Sequence, residues 1–376
     1  MKKKTFLSVT MAFGLIAVLA ACGDAENNNG GADNGADNGA NNTEENVSDN
    51  NEADAANSEY SSGDASYVIE AGIGLNNQHP QYEGLLRFKE IVEEETDGDV
   101  YVETYHSSQL GDDREMMEAL QLGSQEVTIP STAPVTNFVD EYAILDFPFL
   151  FANEEVAMEV LNGEMGDELL DSLEDQEMVG LAWWENGYRD LTNSTQPVET
   201  AEDFQGLTIR TMENEVHLEA FSELGANPTP MAFGELFTGM QQGTVDGQEN
   251  PLATIYLEGF YEVQDYYSDT NHVYSPFVFL MSKSFYDSLP DDYQELVGDA
   301  AQEAGEFQIE QNRAQNEEML ESLIDEGMEH SEVTDEAREE MAEIVQPVND
   351  QFAEQLDQDF VERFFQAVED AEEMHQ

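Results

Sequence analysis

From Tyr67 onward the spacing of apolar residues switches back and forth between the strand period and the helix period, and few folds satisfy that pattern. Tyr67, Ile69, Ala71 and Ile73 alternate with other residues, which predicts a strand. Tyr82, Leu85, Leu86, Phe88, Ile91 and Val92 follow at helical spacing, with Gly98 as a stop. Val100, Val102 and Thr104 predict a second strand, Asp112 to Leu122 a helix, and Val127 to Ile129 a third strand. This β-α-β-α-β order argues for a mixed or parallel α/β sheet. Apolar Ala143 to Phe151 precedes helices at Asn153–Leu161 and Gly166–Leu173 and a strand at Val179–Trp184. After Asn193 the alternation restarts. Thr200-x-x-Asp203 forms a capping box, Leu207–Arg210 a strand, Glu215–Leu224 a helix and Ala226–Pro228 a strand. Two such sets imply two lobes. Ser288-x-x-Asp291 caps a helical stretch of about 35 residues, which is either one strut crossing both lobes or two helices broken near Asn312. A last helical region runs from Thr334, with a break expected at Pro347.

The chain before Tyr67 has another character. Met1-Lys2-Lys3-Lys4 is a positive start, Thr5 to Leu19 is apolar, and Leu19-Ala20-Ala21-Cys22 matches a lipoprotein signal. Residues 1–21 are read as the signal peptide and Cys22 as the lipidated N-terminus. Residues 22–65, rich in Asn, Asp, Ala, Gly and Glu, are expected to form a disordered acidic tether to the cell membrane.

Charge narrows the function. There are 12 Lys and Arg against 83 Asp and Glu, a net charge of -71. Nucleic-acid binding needs a basic footprint and is excluded. Adhesion to anionic lipid is disfavoured. The acids are spread along the whole chain, as suits a protein working in concentrated salt, where the Debye length is only ~3 Å at 1 M. No Asp-x-Asp-x-Asp-Gly calcium loop occurs. The single cysteine allows no internal disulfide.

Catalytic and cofactor motifs are missing. His79, His106, His217, His272, His330 and His375 make no zinc pattern, so no metal is expected. There is no Gly-x-Ser-x-Gly elbow, phosphate loop or dinucleotide fingerprint, so no cofactor is expected. A two-lobed α/β chain of this kind is expected to bind a ligand and not to be an enzyme.

Lys2, Lys3 and Lys4 precede Cys22, which leaves nine cations after it. Arg87, Lys89, Arg114, Arg313, Arg338 and Arg363 lie in helical segments beside acids and read as surface pairs. Arg189 and Arg210 lie at strand ends, where ligands sit in open α/β folds. A guanidinium offers a planar fork that matches a carboxylate. Each of the two is either an anion anchor or half of a structural ion pair.

Four stretches stand out: Ser107-Ser108-Gln109-Leu110-Gly111-Asp112-Asp113-Arg114, Leu145 to Phe151, Gly206-Leu207-Thr208-Ile209-Arg210, and Gly225-Ala226-Asn227-Pro228-Thr229-Pro230-Met231 running into Gln241 to Pro251. Together, and in this order, they resemble the solute-binding proteins of TRAP transporters. The resemblance covers about Tyr67 to Ala314 and, more weakly, the C-terminal helices. It implies a periplasmic-binding-protein-like α/β fold with a ligand cleft between two lobes and a long helix spanning both. The expected lobes are 66–187 with 276–315, and 188–275 with 316–370 packed on it. The resemblance puts Arg210 at the main salt bridge to a ligand carboxylate, Arg189 beside it as an assistant, Asn250 on the carboxylate and Phe233 against the ligand. It brings Ser131 to the ligand side, where sialate-binding members carry Glu. Ectoine-binding members carry Trp where this chain has Phe233. The implied ligand is a C4-dicarboxylate or a sugar acid. The polar segment Asn76-Asn77-Gln78-His79 is expected to face the cleft, with Gln78 bonding ligand hydroxyls. The implied partners are the small and large TRAP membrane subunits. A receptor presenting ligand to a membrane sensor kinase and a surface enzyme on carboxylated sugars are the rival readings.

Overall fold

A computed structural model describes residues 60–375. The signal peptide, Cys22 and all but the end of the tether lie outside the described residues.

Strand β1 (Tyr67–Gly72) buries Ile69 and Ala71. Helix α1 (Pro80–Glu95) follows, with proline in its first turn and His79 as N-cap. Strand β2 (Val100–Tyr105) lies parallel to β1, Tyr67 opposite Val100. Helix α2 (Asp113–Leu122) is capped by an Asp112–Glu115 box, and β3 (Val127–Thr128) returns parallel to β1. The first β-α-β-α-β set thus forms as its periodicity demands.

Turns of 3-10 helix at Ala133–Asn137 and Asp140–Asp146 lead to α3 (Glu154–Leu161), α4 (Glu164–Ser172) and β4 (Met178–Asn193). The second set comprises β5 (Thr208–Thr211), α5 (Glu215–Glu223), β6 (Asn227–Pro230), α6 (Phe233–Gln241) and β7 (Gly247–Pro251). Then come α7 (Leu252–Leu257), β8 (Tyr266–Ser282), α8 (Lys283–Tyr286), α9 (Asp291–Asp325), β9 (Glu329–Ser331), α10 (Asp335–Ala353) and α11 (Gln358–Met374). The nine strands form one mixed sheet in the order β2-β1-β3-β8-β4-β7-β5-β6, with β9 on β8.

Two long antiparallel strands, β4 and β8, join the halves of this sheet. The end of β8 pairs with β3, and the end of β4 pairs with β7. The strand expected at Val179–Trp184 therefore runs on through Glu185–Asn193, because β8 continues alongside it. Their register shifts between Glu185 and Gly187, opposite Pro276 and Ser275. Pro276 has no N–H to donate. Gln308 of α9 supplies the bonds instead: its Nε2 donates to Glu185 O (2.8 Å) and its Oε1 accepts from Glu185 N (3.0 Å). Asn312 Nδ2 donates to Asn186 O (3.2 Å). These partners hold α9 as one helix of 35 residues, unbroken at Asn312.

Three local expectations need correction. Ser288 does not cap α9; Pro290 is its N-cap, and Ser288 Oγ turns back to Phe285 O. Helix α10 continues through Pro347, which lies on its exposed face, where water can reach the carbonyl that loses its partner. Finally, α10 packs on α5, but α11 packs on α3 and α4, so the C-terminal region does not gather on 188–275 alone.

Trp184 is fully buried where α1 and α9 cross β4. A Cβ at Gly305 would lie 2.6 Å from Trp184 Cδ1, and one at Gly84 2.6 Å from Trp184 Cζ3. A Cβ at Gly298, in the same helix as Gly305, would meet nothing within 4 Å. Helical Gly→Ala normally stabilises by ~0.5–1 kcal/mol. Thermal denaturation should therefore show opposite signs: Gly298→Ala raises Tm, while Gly305→Ala lowers it through overpacking that costs ~1–3 kcal/mol.

Candidate functional site

A cleft lined by side chains from both halves of the sheet lies at their junction. The C-terminal ends of β1, β3 and β5 lead into it through Gly74, Ile129 and Met212, as the strand-end rule for α/β sheets requires. Of the residues expected at the site, Arg210, Asn250, Phe233 and Ser131 line it.

Arg210 lies on β5 beside Ile209, whose side chain enters the core on the other face. The residue is 2% exposed. Nε donates to Met231 O (2.9 Å), and the buried Nη1 has no partner among the described residues. Eight of the nine described Lys and Arg residues have a carboxylate within 4 Å; Arg210 does not. In a chain with 83 acids this isolation is informative. Burial pushes its pKa down to about 10, with Glu249 opposing and Arg189 reinforcing the shift. It stays a cation at neutral pH.

Arg189 is fully buried but does not line the cleft. Its fork is taken by Glu249: Nε bonds Oε2, and Nη2 bonds Oε1 (2.9 Å) and the Glu249 carbonyl (2.6 Å). Nη2 also donates to Asn250 Oδ1 (3.2 Å). Burial works against the Glu249 charge, but Arg189 and a contact from His272 Nε2 (3.3 Å) outweigh it and hold the carboxyl well below its usual range. The ion-pair alternative thus applies to Arg189, which orients Asn250 on the cleft wall from behind.

Phe233 opens α6 and packs against both the core under β1 and α1 and the core under α6 and α7. Ser131 N donates to Asp113 Oδ2 (3.2 Å), and Ser131 Oγ accepts from Asn186 Nδ2 (3.3 Å). Burial pushes the Asp113 carboxyl up to about 7, helped by Asp112 and opposed by Ser131 N and Arg210.

Gln78 does not face the cleft. It is exposed, and its backbone N–H goes to Asn76 Oδ1 (2.8 Å). The segment closes on α7 instead. Asn76 Nδ2 donates to Leu257 O (2.7 Å), and Asn76 N donates to Glu258 Oε1 (2.8 Å). His79 Nδ1 accepts from Gln81 N (3.1 Å), so Nε2 carries the hydrogen toward Thr254 Oγ1 (3.3 Å). Burial lowers the His79 pKa to about 3 and keeps it neutral. One helical step on, Gln81 takes the cleft-facing place, joined by Asp113, Asn186, Thr254 and Phe277, none of which the sequence had singled out. Among the described residues no cluster of His, Cys, Asp or Glu suits a metal ion.

A two-lobed α/β body with a buried cation in its cleft is the architecture of a solute-binding protein. The family model for bacterial extracellular solute-binding protein, family 7, matches residues 71–356, and the chain belongs to that TRAP-type family. It is 42% identical over 290 residues to a solute-binding protein of Verminephrobacter eiseniae, covering 76% of this chain and 85% of that one. It is 32% identical over 265 residues to the 2,3-diketo-L-gulonate-binding periplasmic protein YiaO of Escherichia coli, covering 70% and 81%. Among solved structures, the sugar acid binding protein DctPAm of Advenella mimigardefordensis in complex with galactonate matches with a TM-score of 0.80 and 40% identity, over 82% of this chain and 99% of that one. A TRAP solute-binding protein of Sulfurospirillum deleyianum with bound succinate matches with a TM-score of 0.77 and 31% identity, over 81% and 99%.

Proposed function

We propose that the protein captures a small organic carboxylate, a C4-dicarboxylate or a sugar acid, in this cleft and hands it to the small and large membrane subunits of a TRAP transporter. The buried guanidinium of Arg210, without a carboxylate partner among the described residues, is the observation that carries the reading. A desolvated unpaired cation is costly, and an incoming carboxylate removes that cost through charge-assisted bonds. Asn250 and Ser131 stand ready for the ligand's polar atoms and Phe233 for its carbon chain. The ligands in the Advenella and Sulfurospirillum structures are both carboxylates. The hinge for closure is placed at the β4–β8 register shift between Glu185 and Gly187, near the expected lobe boundary at 187/188 and 275/276. Cys22 would carry the lipid anchor, and the net charge of -71 suits work in concentrated salt.

The test is a thermal-shift panel of purified protein at ~2 M KCl with aldonates, uronates, C4-dicarboxylates and short 2-hydroxy acids. Ligand at ~100 times its Kd adds about 2.7 kcal/mol, which is roughly 5–10 °C here. Without ligand, Tm should fall as KCl is lowered to ~0.2 M, because repulsion among the acids is then less screened. A panel in which no carboxylate raises Tm would sink the carboxylate reading, and a salt-indifferent Tm would sink the high-salt one.

A further inference from the structure

The polar groups facing the cleft are lopsided. Arg210 is the buried cation. Arg114, the other cation on the lining, is exposed at the rim and already engaged with Glu118 (3.2 Å) and Glu213 (3.8 Å). The rest of the polar wall is rich in acceptors. Gln81 is 1% exposed, and its Nε2 donates to the carbonyl of Ile129 (2.8 Å). A carbonyl can only accept, so this bond fixes which way the amide points and leaves Oε1 as the free end. That Oε1 is buried and has no partner among the described residues. Asn186 Oδ1 is likewise buried and unpartnered, while its Nδ2 turns to Ser131 Oγ. Asp113 adds a carboxylate bonded to Ser131 N.

Unsatisfied buried acceptors cost free energy until a donor arrives. A hydroxyl supplies that donor. A second ligand carboxylate does not. The apolar wall, with Leu75, Ile129, Phe233 and Phe277, suits the carbon chain between them.

Resting on Arg210 as the carboxylate anchor, we infer that this cleft selects polyhydroxylated monocarboxylates over C4-dicarboxylates, with Gln81 accepting from a ligand hydroxyl. Gln81 is then a specificity-determining residue. A site built to bond a hydroxyl discriminates sharply against analogues that lack one, because its own buried groups are left unpaired.

The experiment is calorimetric titration of the purified protein in ~2 M KCl with four probes: galactonate, threonate, succinate and butyrate. On the unaltered protein, galactonate or threonate should bind at least about ten-fold tighter than succinate and butyrate. Gln81→Leu should weaken the hydroxy acid by about ten-fold or more and succinate far less, so that the preference collapses. Arg210→Met should weaken every probe. If succinate binds more tightly than both hydroxy acids and is still lost in Arg210→Met, the anchor stands and the hydroxyl inference falls. Binding indifferent to Arg210→Met overturns the anchor itself, and no binding by any probe overturns both. The ligand series decides alone if Gln81→Leu does not fold.

Discussion

Arg210→Met should weaken carboxylate binding by between about thirty-fold and several thousand-fold, because truncating one end of a buried, hydrogen-bonded charge pair costs ~2–5 kcal/mol. The same change should leave the unliganded protein at least as stable as before. Methionine keeps most of the side-chain stem in place, so little packing is lost. The bond from Nε to Met231 O disappears, at a cost of ~1 kcal/mol. Against that, a desolvated guanidinium with an unpartnered Nη1 is removed, one that Glu249, Asp113 and Asp112 attract without contact and Arg189 repels. Relieving an uncompensated buried charge outweighs one neutral-acceptor bond. The two readouts therefore move apart: ligand affinity falls while Tm without ligand holds or rises. Calorimetric titration and thermal denaturation on one protein sample check both. A Tm that collapses along with affinity would mean Arg210 is a structural residue, and unchanged affinity would mean the carboxylate lands elsewhere.

The sequence narrowed attention to two arginines but could not separate them. Both end up buried in one region, and the difference lies in their partners. Glu249, which claims Arg189, is sixty residues away along the chain. Local pattern does not reveal which of 83 acids folds against which cation. Asp113 is hidden for the same reason: one acid among many carries no signal until the backbone of Ser131 is seen to hold it. Arg313 reads as a surface pair from its neighbours, yet from α9 its Nε and Nη2 grip buried Glu185 of β4 at 2.9 and 2.5 Å. Gln78 and Gln81 show the other limit. Pro80 marks the start of α1, and Asn76 and His79 just before it turn toward α7. A polar residue in the first turn of a helix, on its apolar side, was the available clue to Gln81. The alternating sets up to β3 were legible because each is a local pattern. The continuation of β4 through Asn186 and Gly187 was not, since an Asn-Gly pair reads as a turn and only β8 makes it a strand.

The largest effect on folding is expected at Glu249. Arg189 and Glu249 are both fully inaccessible to solvent, and their pair sits where β4, β7 and β8 meet, beside the register shift between Arg189 and Leu191. Removing one partner of such a pair strands the other charge in the interior at a cost of ~3–5 kcal/mol. For a body of this size, Glu249→Ala should lower Tm by roughly 5–15 °C, whereas Arg87→Ala, which breaks exposed pairs to Glu90 and Glu303, should barely move it. Replacing both ends by apolar residues, as in Arg189→Met with Glu249→Leu, should recover most of the lost stability, because no charge is then left unpaired. Ligand binding should not recover with it. Arg189 is one of the groups that fixes Asn250 Oδ1, and Asn250 lines the cleft. The double variant should thus fold nearly as well as the parent and still bind carboxylate more weakly. Thermal melts combined with titrations of the two single variants and the double variant separate these effects. A double variant that regains full affinity would show that the ion pair serves the fold alone and that Asn250 needs no help in facing the ligand.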